Sequence, residues 1–443
     1  MKLAGVLICL AGMGLAAAAS PAAVFPYKVH RETLPNGLTV ILIPMDSPGL
    51  VAYWSVVRTG SRDEVEPGRS GYAHFFEHMM FRGTKKYPGP LYDKIVTGLG
   101  ANANAYTTDD YTAYHLEFAK EDLEKVVEIE SDRFQNLDYA EGAFQTEAGA
   151  VYGEYRKSQT QPFFLLDEKL RDTAYDVHTY KHSTMGFEAD VKAMPQGYQY
   201  SRSFFHRFYR PDNCVLLIVG DVDPPAAMNL VRKYYGGWER GYAPPRVKPE
   251  PPQEGQRKAE VAYPGQTLPV LDVAYKGDPL DPDNRDFVAA LVLGELAFGK
   301  TSELYKELVI REQKVEFLLP SFPINRDLPL WEIVAMVKKA EDIAYVRDEV
   351  FRTLEEFKTK PVDAGRLDAV KRHNKYAFLM DLDSPGSVAG ELARFVALFG
   401  GIEVVERLYA AIDRVTPADV ARAAKKYFDP KRRTVVVLKG APS

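Results

Sequence analysis

The chain has 443 residues, of which 46% are hydrophobic, 26% charged and 12% aromatic. This balance is typical of folded globular proteins, and it excludes a disordered tail or a collagen-like fibre. The net charge of −5 gives no basic excess for nucleic-acid binding by counterion release. Two cysteines, Cys9 and Cys214, are too few for a disulfide scaffold or a multi-cysteine zinc cluster.

The N-terminus has the pattern of a secretory signal peptide. Lys2 precedes an apolar run from Leu3 to Leu15, which is followed by small residues. The run is shorter than the ~20 residues that a membrane span needs. We therefore predict a signal peptide at residues 1–23, an exported, periplasmic protein, and no membrane span after cleavage. An uncleaved signal that tethers the protein, or a lipid anchor at Cys9, are the alternatives.

A proline-rich stretch between Gly241 and Gly255 divides the chain. Its prolines and interleaved charges are incompatible with a helix or a central strand, so the stretch is interpreted as a semi-rigid linker. We predict a first domain at residues 24–240, a linker at 241–258 and a second domain at 259–443.

The two halves end alike. In the first half, Pro211 follows a helix end and precedes the apolar strand Cys214–Val219. In the second half, Pro430 stands in the same place before the strand Thr434–Leu438. The shared pattern predicts two copies of one α+β unit.

The first half contains further strand and helix patterns. Two strand pairs are predicted from β-branched and aromatic runs around turn residues, Leu38–Ile43 with Val51–Val57 and Asn104–Thr107 with Tyr111–Phe118. Apolar residues at steps of three and four predict two helices, Glu121–Leu137 and Tyr139–Arg156.

One segment carries residues suited to metal chemistry. Ser70 and Gly83 delimit a predicted helix, with Ser70 as its cap. His74 and His78 lie one turn apart on one face of this helix, so their imidazoles can converge on one metal ion. Glu77 lies beside the pair, where it can hold a water molecule. This is the inverted form of the His-Glu-x-x-His zinc helix, and a hydrolytic site needs a third ligand from another element.

Two histidines on an amphipathic helix could also occur by chance. The expected number of such motifs is on the order of 0.01 per chain, which favours a metal site. His178 and His182 are also four residues apart, but they have no acid between them and loop-like surroundings. We interpret these two as structural.

The motif resembles that of the M16 or pitrilysin-type metallopeptidases, the inverzincins, and in particular their short-chain members similar to processing peptidases. Glu154 lies 76 residues after His78, the spacing of the distal zinc glutamate in those members. Glu147 lies two helical turns earlier, where the family has a supporting glutamate. The resemblance continues through the segments 80–88, 102–107 and 132–134.

The resemblance implies an α+β fold of two homologous domains, each a mixed sheet flanked by helices, facing each other across a chamber. It also implies one Zn²⁺ per chain, held in the first domain by His74, His78 and Glu154. Glu77 would take a proton from water and pass it to the leaving amine. Glu147 would orient a zinc-bound histidine, for which we favour His78.

The family also implies how substrate binds. The strand that contains Asn104 and Ala105 would pair with an extended substrate backbone, although Asn104 also fits an ordinary strand or turn position. The predicted function is an exported zinc endopeptidase acting on peptides or unfolded polypeptide segments. A non-catalytic scaffold subunit of the same fold is the alternative, and nothing in the sequence favours a non-peptide substrate.

One family feature is missing. Active members use an arginine and a tyrosine seven residues apart, from the second half or from a partner chain, to hold substrate. Without a gap the matching positions are Val309 and Glu316, and a shift of one residue gives Phe317 for the tyrosine. Arg311 is nearby, but Leu318 lies seven residues beyond it. We therefore predict a heterodimer with a zinc-less homologous subunit, and replacement of the pair by Arg311 and another donor is the alternative.

Overall fold

The computed structural model describes residues 24–441 of the chain. The predicted signal peptide lies outside the described residues. The described chain forms two mixed β-sheets flanked by helices, which confirms the predicted α+β fold of two similar units. Within residues 24–441, no helix is both long enough and apolar enough to cross a membrane.

The first sheet has six strands. They are β1 (His30–Thr33), β2 (Thr39–Pro44), β3 (Leu50–Val57), β4 (Asn102–Thr107), β5 (Thr112–Ala119) and β6 (Cys214–Gly220). Their spatial order is β1-β2-β6-β3-β5-β4. β2 and β6 are parallel and the other neighbours are antiparallel.

The second sheet has five strands. They are β7 (Arg257–Ala262), β8 (Val270–Lys276), β9 (Val315–Ser321), β10 (Leu330–Val337) and β11 (Arg433–Lys439). Their spatial order is β7-β11-β8-β10-β9, with β7 and β11 parallel and the other neighbours antiparallel.

Helices connect the strands and cover the sheets. In the first half they are α1 (Tyr72–Met79), α2 (Gly89–Gly98), α3 (Leu123–Asn136), α4 (Glu141–Ser158), α5 (Pro162–Ala174), α6 (Glu188–Ala193), α7 (Tyr198–Phe208) and α8 (Pro224–Tyr235). In the second half they are α9 (Arg285–Phe298), α10 (Glu303–Tyr305), α11 (Ile343–Thr359), α12 (Ala364–Met380), α13 (Pro385–Phe399), α14 (Glu403–Asp413) and α15 (Pro417–Tyr427).

One of the two predicted strand pairs is confirmed and the other is wrong. β4 and β5 pair as predicted, with Thr107 opposite Thr112. β2 and β3 form at the predicted places, but they are not neighbours because β6 lies between them. β6 is contributed from far along the chain and pairs with both strands, which a local pattern of apolar residues cannot reveal.

The other predicted elements agree with the structure. α3 and α4 match the two predicted helices to within about two residues, the usual uncertainty of helix ends. The turns at Pro211 and Pro430 each lead from a helix into a buried strand, β6 and β11 respectively. Residues 241–256 contain no helix or strand, and β7 begins at Arg257. The limits of the two domains stay a prediction.

Each half contributes one helix to the sheet of the other half. α5 of the first half packs on β7 and β11, and α13 of the second half packs on β3 and β6. Trp54 of the first sheet therefore shares a hydrophobic core with Leu392 and Val396 of α13. Likewise, Leu166 and Leu170 of α5 pack in one core with residues of the second sheet.

Candidate metal centre

Helix α1 carries the inverted His-x-x-Glu-His motif. It begins at Tyr72 and ends at Met79, and a 3-10 turn continues over Met80–Arg82. The predicted helix from Ser70 to Gly83 is therefore too long at its start, and its last turn has a different geometry.

The predicted cap of this helix is wrong. The Ser70 hydroxyl donates to the Asp190 carboxylate at 2.6 Å and is not available to the helix. Glu64 takes the capping role, because its two oxygens accept the backbone N–H groups of Gly71 at 2.7 Å and of Ala73 at 2.6 Å. This buried acid from a preceding loop satisfies donors that the first turn leaves without partners.

Three side chains converge beside α1. His74 and His78 project from one face, with ring centroids 4.9 Å apart. The Glu154 Oε2 atom of α4 lies 3.8 Å from His74 Nε2 and 3.4 Å from His78 Nε2. Within residues 24–441 this is the one place where three potential metal ligands each bring an atom to within 4.8 Å of the others.

These atoms fit a zinc ion. Two imidazole nitrogens and one carboxylate oxygen are the donor set of hydrolytic zinc sites, which keep a fourth position open. His74 is 7% exposed, and burial together with the neighbouring His78 lowers its pKa to about 4, so its imidazole is neutral at pH 7. Its Nδ1 atom has no hydrogen-bond partner among the described residues.

Glu147 supports one of the two histidines. Its Oε1 atom lies 2.9 Å from His78 Nδ1, which leaves His78 Nε2 directed toward Glu154. This hydrogen bond is the main cause of the raised pKa of His78. Arg82, from the turn after α1, forms an ion pair with the other oxygen of Glu147. Burial raises the pKa of Glu147, but His78 and Arg82 outweigh this and lower it overall.

Glu77 lies beside the three candidate ligands and is not one of them. It is half-buried, and its Oε2 atom accepts a hydrogen bond from the Thr107 hydroxyl at 2.7 Å. Burial is the main cause of the raised pKa of its carboxyl group.

Asn104 and Ala105 lie on β4, the edge strand of the first sheet. Among the described residues, β4 pairs with β5 alone, so its outer edge faces no other strand. The Ala105 N–H donates to the Asn104 side-chain oxygen at 2.9 Å instead of to a strand. α1 packs against both β4 and β5, and the hydrogen bond from Thr107 to Glu77 joins β4 to the helix that carries the two histidines.

His178 and His182 do not join the candidate metal site. The Nε2 atom of His178 lies 3.1 Å from an Asp327 carboxylate oxygen, and its Nδ1 atom accepts a hydrogen bond from the Tyr180 N–H group. His182 Nδ1 lies 2.9 Å from the Ser183 carbonyl oxygen. Both rings are buried, and these polar contacts agree with a structural interpretation.

Three residues of this region were not predicted to contribute: Glu64, Arg82 and Thr107. Arg82 and Thr107 fall within segments that match the family, so their positions were visible but their contacts were not. No sequence signal indicates Glu64, because a cap from a preceding loop depends on the path of that loop.

Two family profiles match most of the chain. The profile described as insulinase, peptidase family M16, matches residues 40–188, and that of the peptidase M16 inactive domain matches residues 198–374. The chain belongs to the M16 peptidase family. The name of the second profile agrees with the location of the candidate ligands, which all lie in the first half.

Several proteins of this family are similar to the chain over nearly its whole length. Zinc protease PqqE of Helicobacter pylori is 28% identical over 422 residues, covering 93% of each protein. The mitochondrial-processing peptidase subunit beta of Lentinula edodes is 25% identical over 415 residues, covering 90% of this chain and 87% of the relative. The crystal structure of a protease from Helicobacter pylori superimposes with a TM-score of 0.87 at 28% identity, covering 93% of this chain and 99% of that one.

Proposed function

We propose that this chain is an exported zinc-dependent endopeptidase that cleaves peptides or unfolded polypeptide segments. The observation that carries the proposal is the convergence of His74, His78 and Glu154, with Glu77 held beside them. Export rests on the N-terminal sequence, and intact-mass measurement of the native protein should give a start near residues 20–24.

His74 and His78 would hold one zinc ion through Nε2, and Glu154 would complete the protein ligands. When bound, zinc supplies Lewis-acid chemistry, which polarises a peptide carbonyl and makes a water molecule more acidic. Glu147 keeps the His78 ring oriented by its hydrogen bond, as carboxylates behind metal-binding histidines do.

Glu77 would be the proton carrier of the reaction. One of its oxygens is bound by Thr107, so the other can accept a proton from the attacking water. The same carboxyl group then protonates the leaving amine. An extended substrate would lie along β4 at Asn104 and Ala105, where backbone pairing gives affinity with little sequence specificity.

We further propose that a zinc-less homologous subunit completes the site. At the positions of the missing arginine and tyrosine, this chain has Val309 and Glu316. Arg311 forms an ion pair with Glu307 on its own turn, and the Phe317 ring packs near Phe163 at 6.1 Å. This arrangement offers no arginine–tyrosine pair, and the relative named subunit beta is by its name part of an assembly.

The test of catalysis is Glu77→Gln in the mature chain. The control is Glu121→Gln, which changes an exposed acid outside α1. Glu77→Gln should keep one zinc per chain, because Glu77 is not a ligand, while peptide cleavage falls by several orders of magnitude. Zinc analysis and a fluorogenic peptide assay measure both. Loss of zinc together with activity would show that Glu77 is a ligand. Wild-type protein with full zinc and no cleavage, alone or with the native partner fraction, would favour the scaffold alternative.

The test of the partner is to assay the chain alone and then with the co-purifying subunit from its source. The isolated chain should have a low kcat/KM, because contacts that stabilise the transition state are missing. Full turnover by a monomer or homodimer, unchanged by the partner fraction, would refute the heterodimer.

A further inference from the structure

Thr107 forms a hydrogen bond with the Glu77 side chain. It is the last residue of β4, and its Oγ1 donates to Glu77 Oε2 at 2.7 Å. No other side chain in the described part of the protein forms a hydrogen bond with this carboxylate at comparable distance. The contacts that orient the Glu77 carboxyl group therefore come from one residue, Thr107, mainly through its hydroxyl group and also through its backbone.

The hairpin of β4 and β5 also holds the backbone of α1 next to Glu77. The Tyr114 hydroxyl of β5 donates to the Phe76 carbonyl oxygen at 3.1 Å. Thr112, opposite Thr107, donates to the Thr59 carbonyl oxygen at 3.1 Å, and its Oγ1 lies 3.5 Å from the Thr107 Oγ1. The Glu77 oxygen, at 2.7 Å, is therefore the nearer partner of the Thr107 hydroxyl group. One hairpin thus fixes both the helix and the side chain that projects from it.

We propose that Thr107 is the positioning residue of Glu77, and that its hydroxyl fixes one carboxylate oxygen so that the other is presented to the candidate metal ligands. The inference rests on the proposed function for its catalytic meaning. Because Thr107 belongs to the edge strand that would bind substrate, one element aligns both the substrate backbone and the proton carrier. Precise alignment of this kind is a large part of catalytic rate.

The test compares Thr107→Val, which keeps the shape but removes the hydroxyl, with Thr107→Ser, which keeps the hydroxyl. Thr39→Val, a half-buried threonine on β2, is the matched control. Thr107→Val should lower kcat about 10- to 100-fold, the range for a lost hydrogen bond to a charged group. KM, zinc content and Tm should stay close to wild type. Thr107→Ser should recover most of kcat, and Thr107→Val should have no further effect in a Glu77→Gln background.

Crystal structures of wild type and Thr107→Val provide a second readout that needs no activity. The Glu77 carboxylate should keep its orientation in wild type and rotate away in the variant. An unchanged orientation, a wild-type kcat, or a Thr107→Ser variant as slow as Thr107→Val would overturn the proposal. Inactive wild-type protein with full zinc would refute the proposed function alone, since the positioning of Glu77 is still decided by the two structures.

Discussion

The two halves of the molecule share one strand topology but differ in the helix at the equivalent place. The orders β2-β6-β3-β5-β4 and β7-β11-β8-β10-β9 follow the chain in the same way, and β1 is an addition to the first half. The first long helix after the second strand of this unit is α1 in one half and α9 in the other. α1 presents His74, Glu77 and His78, whereas α9 buries a mostly apolar sequence. The framework thus accepts a helix with or without a polar face, and a few side chains determine the chemistry.

The exchange of helices between the halves is also symmetric. Arg58 Nε donates to the Ala397 carbonyl oxygen near the end of α13, at 2.7 Å. Arg257 Nη1 donates to the Ala174 carbonyl oxygen at the end of α5, at 2.9 Å. A cation at a helix C-terminus satisfies open carbonyl groups and interacts favourably with the helix dipole. Each half therefore places an arginine at the C-terminus of the helix from the other half, although Arg58 follows β3 and Arg257 begins β7, which are not equivalent strands.

The largest expected effect comes from separating the halves. Fragments 24–240 and 241–443, expressed alone, should not fold cooperatively, because each sheet loses the helix that covers one face. A buried apolar side chain of the size of Leu392 contributes about 1.5–3 kcal/mol, and the total stability of a domain is about 5–15 kcal/mol. The loss of several such contacts therefore costs more free energy than the total stability of a fragment.

Thermal unfolding followed by circular dichroism measures this effect. The control is co-expression of the two fragments, which should reassemble into a particle that unfolds near the temperature of the intact chain. A sharp unfolding transition in either fragment alone would show that the exchanged helices are dispensable.

The next largest effect should come from replacing one of the candidate metal ligands in the first half. Glu154→Gln should weaken zinc binding more than about 100-fold, since changes behind the ligands already cost about 10- to 100-fold. Glu141→Gln, an exposed change at the start of the same helix, is the control and should bind zinc as wild type does. Competition with a chelator at limiting zinc measures both affinities. Wild-type occupancy in Glu154→Gln would refute the ligand role.

Local spacing made part of this site predictable from sequence. His74, Glu77 and His78 follow from helical periodicity alone, because residues four apart share a helix face. Glu154 required the resemblance to a family, since nothing local connects it to α1. The Glu64 cap, the Thr107 contact and the position of β6 between β2 and β3 were not predictable. Each depends on segments that are distant in sequence and meet only in the folded chain.

A smaller effect is expected from replacing the residues that support the candidate ligand His78. Glu147→Gln should lower zinc affinity or activity by about 10- to 100-fold, because the ring of His78 loses a charged partner. Arg82→Met should cost less, since the Arg82 side chain is 52% exposed and such ion pairs are weak. The same chelator competition measures the zinc affinity of both variants and shows which contact contributes more. An Arg82→Met effect larger than that of Glu147→Gln would contradict this order.

The two exchange interfaces differ in polarity at one matched position. Trp54 on β3 pairs with the fourth residue of β6, and Asp272 on β8 pairs with the fourth residue of β11. Trp54 stacks on His115 with ring centroids 4.4 Å apart. Asp272 lies instead beside Glu332, on the sheet face that α5 covers with Asp167 and Arg171. Burial raises the pKa of Asp272 well above its ordinary value, and the charge of Glu332 adds to this.

The smallest expected effect is a change in the pH dependence of stability in Asp272→Asn. The folded protein keeps a proton on Asp272 that the unfolded chain releases above about pH 4. Stability should therefore fall as pH rises through the raised pKa. Asn has no proton to lose, so the Tm of the variant should gain on that of wild type by a few degrees as the pH rises above about 4 toward the raised pKa of Asp272. Thermal unfolding across this range measures the gain, and Asp383→Asn, an exposed change, should parallel wild type. If the Tm of Asp272→Asn also paralleled that of wild type, the Asp272 carboxyl group would be ionised in the folded protein. The second interface would then bury a charge at the position where the first interface has the Trp54–His115 stack.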